Sequence, residues 1–209
     1  MAGYIQKTKI LLVEGVDEIN FFYSLFKTME IHDIQVLESK GKDQFPAELE
    51  LIVNDPDFEK IEAIGIVRDA DTSQTAAVQS IQYYLKKHNL PHKAGHGNFD
   101  NGGSLKIGIF IAPGFKENGM LESLILESLT DHPVKMAAER YLADLKDSLA
   151  SQPEANKYKY PNNEPKALMH AFLAGMEKFI PSLGLASKKG YFDLEADVFQ
   201  DIRAFISSI

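Results

Sequence analysis

Several features that would quickly assign the chain to a class are missing from its sequence. It contains no cysteine, so neither a disulfide nor a thiolate metal site is possible. No apolar run approaches the roughly 18 residues that a membrane span requires, and residues 1–7 lack a signal-peptide core. We therefore expect a cytoplasmic protein that has no membrane partner.

The sequence motifs of several enzyme classes are also missing. No Gly-x-Gly-x-x-Gly follows the first apolar run, and neither a Walker-type loop nor a Gly-x-Ser-x-Gly elbow is present. The formal net charge is −8, and residues 1–130 carry 12 Lys and Arg against 19 Asp and Glu. This acidity disfavours a protein that coats nucleic acid with a basic surface. It is compatible with a nuclease, because a metal site is itself acidic.

Short apolar runs alternate with helical patterns through residues 1–130. Parallel strands need crossover connections, and these are usually helices. The alternation therefore predicts an α/β domain over residues 1–130, with a mainly parallel four-stranded sheet flanked by helices. The segment His92–Gly103, rich in glycine, is predicted to be either a hairpin or a long mobile loop. The predicted strands are Lys9–Val13, Ile34–Glu38, Ile61–Val67 and Leu105–Pro113.

Residues 131–209 have a different character, with amphipathic patterns and no further strand. They are predicted to form a helical appendage that packs on the α/β domain. Its predicted helices are Val134–Leu149, Pro165–Ile180 and Leu194–Ile206, and a polar linker joins the first two.

Acidic residues follow two of the predicted strands directly. Glu14 and Gly15 end the first strand, and Asp69-Ala70-Asp71 ends the third. Because the carboxyl ends of parallel strands share one edge, we expect Glu14, Asp69 and Asp71 to converge there. Carboxylate oxygens are the preferred ligands of Mg²⁺ and Mn²⁺. The pattern favours a metal site over the alternative, in which the aspartates only cap a helix.

Two further acids and one lysine lie close to the same edge in the predicted fold. Glu18 and Glu122 each occupy the first turn of a helix that follows a strand, where they are either rim ligands or ordinary first-turn carboxylates. Lys42 lies in the turn after the second strand, beside Gly41. Its position suits contact with a phosphate, although a solvated loop is the simpler explanation.

These residues resemble a known family. Leu11-Leu12-Val13-Glu14-Gly15, followed by Asp69-Ala70-Asp71, is similar to the Toprim domain of topoisomerases, primases and OLD-family nucleases. The second acid in Val13-Glu14-Gly15-Val16-Asp17-Glu18 and the later Leu121-Glu122 resemble the OLD-type form, and the whole chain resembles stand-alone DUF3226-type proteins. Two departures are Thr72-Ser73-Gln74-Thr75, where many Toprim domains have a glycine, and the lack of the ATPase domain of full-length OLD nucleases.

The resemblance implies a Toprim-like fold and Mg²⁺- or Mn²⁺-dependent cleavage of phosphodiester bonds in DNA or RNA. In this interpretation Glu14, Asp69 and Asp71 hold one metal, and Glu18 and Glu122 complete a second. With a single metal, Glu14 acts as general base or acid. The resemblance also implies a lysine that offsets charge, for which Lys166 is the match and Lys42 the other candidate.

A second function from another class remains open. A Toprim-like binding or regulatory protein would keep the fold and the metal but show weak turnover or none. Its ligand would be a partner protein, a second copy of the chain or a nucleotide. The acidity and the lack of an obvious basic groove favour this alternative, whereas the presence of Glu14, Asp69 and Asp71 favours the nuclease.

Overall fold

The computed structural model describes residues 4–114, 116–152 and 158–209 and contains one mixed sheet of five strands. The strand order is β2-β1-β3-β5-β4, in which β2, β1, β3 and β5 are parallel and β4 runs antiparallel to β5. The predicted α/β class and parallel core are thus confirmed, whereas the count of four strands is wrong. The strands are β1 Lys9–Val13, β2 Ile34–Glu38, β3 Ala63–Asp69, β4 Asn98–Gly102 and β5 Leu105–Ala112.

The additional strand, β4, arises from the glycine-rich segment for which the sequence left two alternatives. Asn98–Gly102 forms a hairpin with β5, and Gly103 turns the chain at a φ of +84°, which glycine adopts without strain. The sequence of β4, NFDNG, has low strand propensity. Tertiary contacts compensate, because the Phe99 ring stacks on that of Phe205 with centroids 5.0 Å apart.

Eight α-helices cover the two faces of the sheet within the described part of the chain. Side chains alternate between the faces along each strand. In β1, Leu11 and Val13 belong to one buried cluster, and Ile10 and Leu12 belong to the other. The helices are α1 Val16–Thr28, α2 Phe45–Val53, α3 Gln74–Lys87, α4 Leu121–Glu127, α5 Pro133–Ala150, α6 Glu164–Ala174, α7 Leu183–Lys188 and α8 Gln200–Ser207. The first cluster includes residues of α1, α4, α5, α6, α7 and α8, and the second includes residues of α2 and α3.

The C-terminal helices differ from their predicted bounds. Among the described residues beyond 131, there are four α-helices instead of three, and α7 was not predicted. Helix α6 ends at Ala174 rather than at Ile180, and Gly175 follows as its C-cap. A Cβ at Gly175 would lie 2.6 Å from Val134 Cγ1, so glycine permits the close approach of α5 and α6. A 3₁₀-turn, Asp197–Phe199, precedes α8 where the longer helix was predicted.

Residues beyond 131 pack on the sheet unit at several places. Helix α6 contacts α4, α7 contacts α1, and α8 contacts β5. The Ile209 side chain lies over Gly65 of β3 so closely that a Cβ there would be 2.4 Å from Ile209 Cδ1. The division of the chain at residue 130 stays a prediction. No helix in the described residues is long and apolar enough to cross a membrane.

The strand order defines where a ligand crevice lies. The chain leaves β1 toward β2 on one side, whereas β3 lies on the other side of β1. This is a topological switch point, and open α/β sheets bind ligands in the crevice beyond the carboxyl ends of the strands there. Glu14 follows β1 directly, and Asp69 is the last residue of β3.

Candidate functional site

Glu14 is held at the end of β1 by its backbone and by its side chain. Its carbonyl oxygen accepts a hydrogen bond from Gly41 N at 2.8 Å, and its carboxylate Oε1 accepts one from Asp69 N at 3.1 Å. Burial raises the pKa of Glu14, and the Asp69 N–H and the Arg68 guanidinium oppose the rise. A partly desolvated carboxylate therefore extends from the end of β1 to the end of the neighbouring strand β3.

Asp69 is the more deeply buried of the two acids at the switch point. The residue is only 9% exposed, and its Oδ1 accepts a hydrogen bond from Leu121 N at 2.9 Å. Leu121 is the first residue of α4, and a carboxylate is favourable at a helix N-terminus. Even so, burial and then the charges of Glu14 and Glu122 raise the pKa of Asp69 well above its usual value. The Leu121 N–H opposes this rise without cancelling it.

Glu14 and Asp69 share one feature of hydrogen bonding. In each carboxylate one oxygen, Glu14 Oε1 or Asp69 Oδ1, accepts a backbone N–H. Among the residues that the structure describes, the second oxygens, Glu14 Oε2 and Asp69 Oδ2, accept no hydrogen bond. Each of these two neighbouring carboxylates is thus anchored through one oxygen, and its second oxygen is available to a cation.

Glu18 and Glu122 add two more carboxylates from the first turns of α1 and α4. Burial raises the pKa of Glu18, and the charges of Glu122 and Glu14 raise it further. Gly15 makes room for this side chain, because a Cβ on Gly15 would lie 3.0 Å from Glu18 Oε2. The glycine after Glu14 is therefore part of the construction of the site.

Lys166, in the first turn of α6, is a cation next to these acids. Its Nζ lies 3.8 Å from Glu122 Oε1. Burial alone would lower the pKa of Lys166, but the charges of Glu122, Asp69, Glu18 and Glu14 together raise it. The ammonium group is therefore charged at neutral pH. We call the four acids Glu14, Glu18, Asp69 and Glu122 the acidic cluster. Lys166 lies beside it.

Asp71 and Lys42 form a separate ion pair at the edge of the cluster. Lys42 Nζ lies 2.8 Å from Asp71 Oδ2, and the two side chains are 53% and 44% exposed. This hydrogen bond raises the pKa of Lys42. Asp71 has a φ of +50°, and two backbone hydrogen bonds to Gly119, of 2.9 and 3.0 Å, hold it in place. A cavity of about 400 Å³ lies beside the pair and is also lined by Arg68, Thr72 and Ser73.

The structure thus distinguishes among the predicted residues. Glu14, Glu18, Asp69, Glu122 and Lys166 interact with one another. The Asp71 carboxylate is close enough to raise the pKa of Glu14, but it forms its ion pair with Lys42. In the described residues, no group of three or more histidine or acidic side chains is arranged to hold a metal ion. The metal and catalytic roles of these residues stay predictions.

No sequence motif assigns a role to Arg68, yet it contacts the site. Its Nε lies 3.5 Å from Glu14 Oε1, and its Nη1 donates a hydrogen bond to Ser80 Oγ at 3.3 Å. The available signal was a charged residue directly after the apolar run Ile64-Gly65-Ile66-Val67, one position before the acidic motif and still within β3. Such a residue is seldom buried without a partner.

The fold and the site together define an α/β protein with a carboxylate cluster at its topological switch point. The chain belongs to the family described as protein of unknown function DUF3226, whose profile matches residues 8–209.

Two solved structures resemble the fold. Both show the C-terminal region of the OLD protein of Xanthomonas campestris pv. campestris, one phased with mercury and the other with platinum. Each is 15% identical in sequence, with a TM-score of 0.38, and the match covers 97% of this chain and 86% or 84% of the other. No curated protein matches the sequence.

Proposed function

We propose that this protein is a cytoplasmic Toprim-type enzyme that uses Mg²⁺ or Mn²⁺ to cleave phosphodiester bonds in DNA or RNA. One observation carries the proposal: the Glu14 and Asp69 carboxylates meet at the switch point, each with one oxygen anchored and one available. Burial opposes their ionisation. A divalent cation would compensate both the desolvation and the mutual repulsion.

The donor set fits Mg²⁺ and Mn²⁺ by its chemistry. Mg²⁺ is usually held by one or two carboxylates together with waters and substrate phosphates, rather than by a complete cage of protein ligands. Glu14 and Asp69 supply that pair, and Glu18 and Glu122 lie close enough to affect its charge. In this proposal Glu14 and Asp69 hold the cation, and Asp71 joins them only when its carboxylate leaves Lys42.

The bound cation would polarise a phosphodiester and neutralise part of its charge. The chain's own contribution is a fixed positive charge next to that position. Lys166 stays protonated among four carboxylates, so its ammonium group is able to approach a phosphate oxygen and offset charge in the transition state. Glu122, 3.8 Å from Lys166 Nζ, restrains the long side chain.

The test is a cleavage assay on plasmid and single-stranded substrates, with Mg²⁺, Mn²⁺ or EDTA. We expect cleavage with either cation, no cleavage with EDTA, and a loss of about a hundredfold or more in Glu14→Gln, as is typical when an electrostatic group of an active site is removed. Glu139→Gln is the matched control, because it removes the exposed carboxylate of the Lys135–Glu139 ion pair on α5. Equal activity in wild type and Glu14→Gln would identify a contaminant and reject the proposal.

A specific observation favours the alternative, a binding or regulatory protein with weak or no turnover. The ion pairs Lys42–Asp71 and Lys166–Glu122 already neutralise two of the acids without any ligand. Such a protein would bind a partner protein, a second copy of the chain or a nucleotide at the same edge. This alternative is supported if wild type binds Mn²⁺ and Glu14→Gln binds it more weakly, while neither cleaves any substrate.

A further inference from the structure

Arg68 lies next to Asp69 in β3, yet it is anchored on the opposite face of the sheet. Its side chain is only 12% exposed, and Nη1 donates to Ser80 Oγ on α3. Asp69, by contrast, is anchored by Leu121 N of α4. This difference follows from the alternation of side chains along a strand. Arg68 therefore reaches the switch point from the α3 face of the sheet, opposite the face on which Asp69 contacts α4.

The guanidinium group contacts Glu14 without completing a hydrogen bond. Arg68 Nε lies 3.5 Å from Glu14 Oε1, and within the described residues this buried nitrogen has no hydrogen-bond partner. A buried donor without a partner is uncommon in folded proteins. Arg68 forms an ion pair with Glu14. A movement of a few tenths of an ångström would turn this contact between Arg68 Nε and Glu14 Oε1 into a charge-assisted hydrogen bond.

Both groups that approach Glu14 act on the same oxygen. Asp69 N donates to Oε1 and Arg68 Nε lies beside Oε1, whereas Oε2 accepts no hydrogen bond from the described residues. We propose that Arg68 is a positioning residue: braced by Ser80, it holds Glu14 Oε1 so that Oε2 is presented to the divalent cation. This inference rests on the proposed function, in which Glu14 is a metal ligand. It makes Arg68 the residue that orients this ligand without touching the metal.

Arginine suits this task better than lysine does. Its planar group presents several donors in a fixed fork, so one side chain can contact Ser80 and Glu14 at once. A lysine at position 68 would keep the positive charge near Glu14 but lose the brace. Outer partners that orient a metal ligand typically change metal affinity by about 10–100-fold when they are removed. We therefore expect a graded effect, with Arg68→Gln more severe than Arg68→Lys.

The experiment measures Mn²⁺ dissociation constants by electron paramagnetic resonance of free Mn²⁺, on the full chain and without nucleic acid. Expected results are weakening of about tenfold or more in Arg68→Gln, a smaller loss in Arg68→Lys, and no change in the control Lys60→Gln, which removes an exposed lysine of the Lys60–Asp57 ion pair. Glu14→Gln should weaken Mn²⁺ binding at least as much as Arg68→Gln. The double variant should match Glu14→Gln alone, because residues that act through one group are not additive.

The outcomes separate this inference from the proposed function. If Glu14→Gln weakens Mn²⁺ binding but Arg68→Gln does not, the metal site stands and the positioning role is wrong. If Arg68→Gln only raises the KM for nucleic acid, Arg68 binds substrate through the adjacent cavity, and the inference is again overturned. If wild type binds no Mn²⁺, both proposals fail. If Arg68→Gln does not fold, Ser80→Ala decides: a several-fold loss of affinity supports the brace, and no loss rejects it.

Discussion

The two aspartates of Asp69-Ala70-Asp71 lie two residues apart in the chain but in different environments. Asp69 is buried, is anchored to the first amide of α4, and has a pKa raised well above its usual value by burial and by Glu14 and Glu122. Asp71 is 44% exposed and forms an ion pair with Lys42. The comparison shows that the two carboxylates of an Asp-x-Asp motif after a strand do not automatically have equivalent environments.

The largest expected difference between the two aspartates concerns metal-dependent stability. A cation that binds only the folded state at a hundredfold excess over its dissociation constant stabilises it by about 2.7 kcal/mol. For a chain of this length, that corresponds to an increase in Tm of about 5–10 °C. We expect wild type to show this shift with Mn²⁺ in calorimetry and Asp69→Asn to show none. Asp71→Asn should retain most of the Mn²⁺-dependent increase in Tm. A complete loss of this increase in Asp71→Asn would mean that Asp71 is as important for metal binding as Asp69.

Asp69→Asn should also make the metal-free protein more stable. The substitution removes a buried charge near Glu14 and Glu122, while an amide oxygen can still accept the Leu121 N–H. We expect a gain of at least about 1 kcal/mol at pH 7, or about 2–4 °C in Tm. Thermal melts in EDTA measure it, with Asp71→Asn as the matched control. A lower Tm for Asp69→Asn would mean that the carboxylate mainly caps α4.

The pH dependence should sharpen the same comparison. The pKa values of Glu14, Glu18 and Asp69 are raised in the folded state, mainly by burial, so the folded protein binds more protons than the unfolded chain. The contribution of these three groups to the free energy of unfolding should therefore fall as pH rises from about 4, near the unfolded pKa values, toward the raised ones. Urea titrations in EDTA should show a shallower fall for Asp69→Asn and a much smaller change for Asp71→Asn, because the Asp71 charge contributes less to the raised pKa of Glu14 than burial does.

The smallest effect is expected for the exposed ion pair. Lys42 and Asp71 are both about half exposed, and pairs of this kind contribute about 0–1 kcal/mol. Lys42→Gln should therefore change the free energy of unfolding in EDTA by less than about 1 kcal/mol, as measured by urea denaturation. Addition of 1 M salt should reduce the difference further. A loss of several kcal/mol would show that the pair anchors the turn after β3.

Much of this site was predictable from residue type and strand position. Glu14 and Asp69 end buried parallel strands, and such ends share one edge by the geometry of the sheet. The apolar runs were long and regular enough to predict the parallel core. Strand β4 was harder to predict because its sequence has almost no apolar alternation, and its pairing depends on β5 and on Phe99.

The sequence by itself determined which acids reach the switch point, because a buried strand carries the residue after its apolar run to the sheet edge. Only the tertiary structure decided their environments. Asp69 became the buried acid because α4 begins over it, and Asp71 turned to Lys42 because the turn at Gly119 holds its backbone. Arg68 and Lys166 joined the site through contacts across 54 and 44 residues of chain, to Glu14 and Glu122 respectively. Packing sets such contacts, and no local pattern along the chain records them.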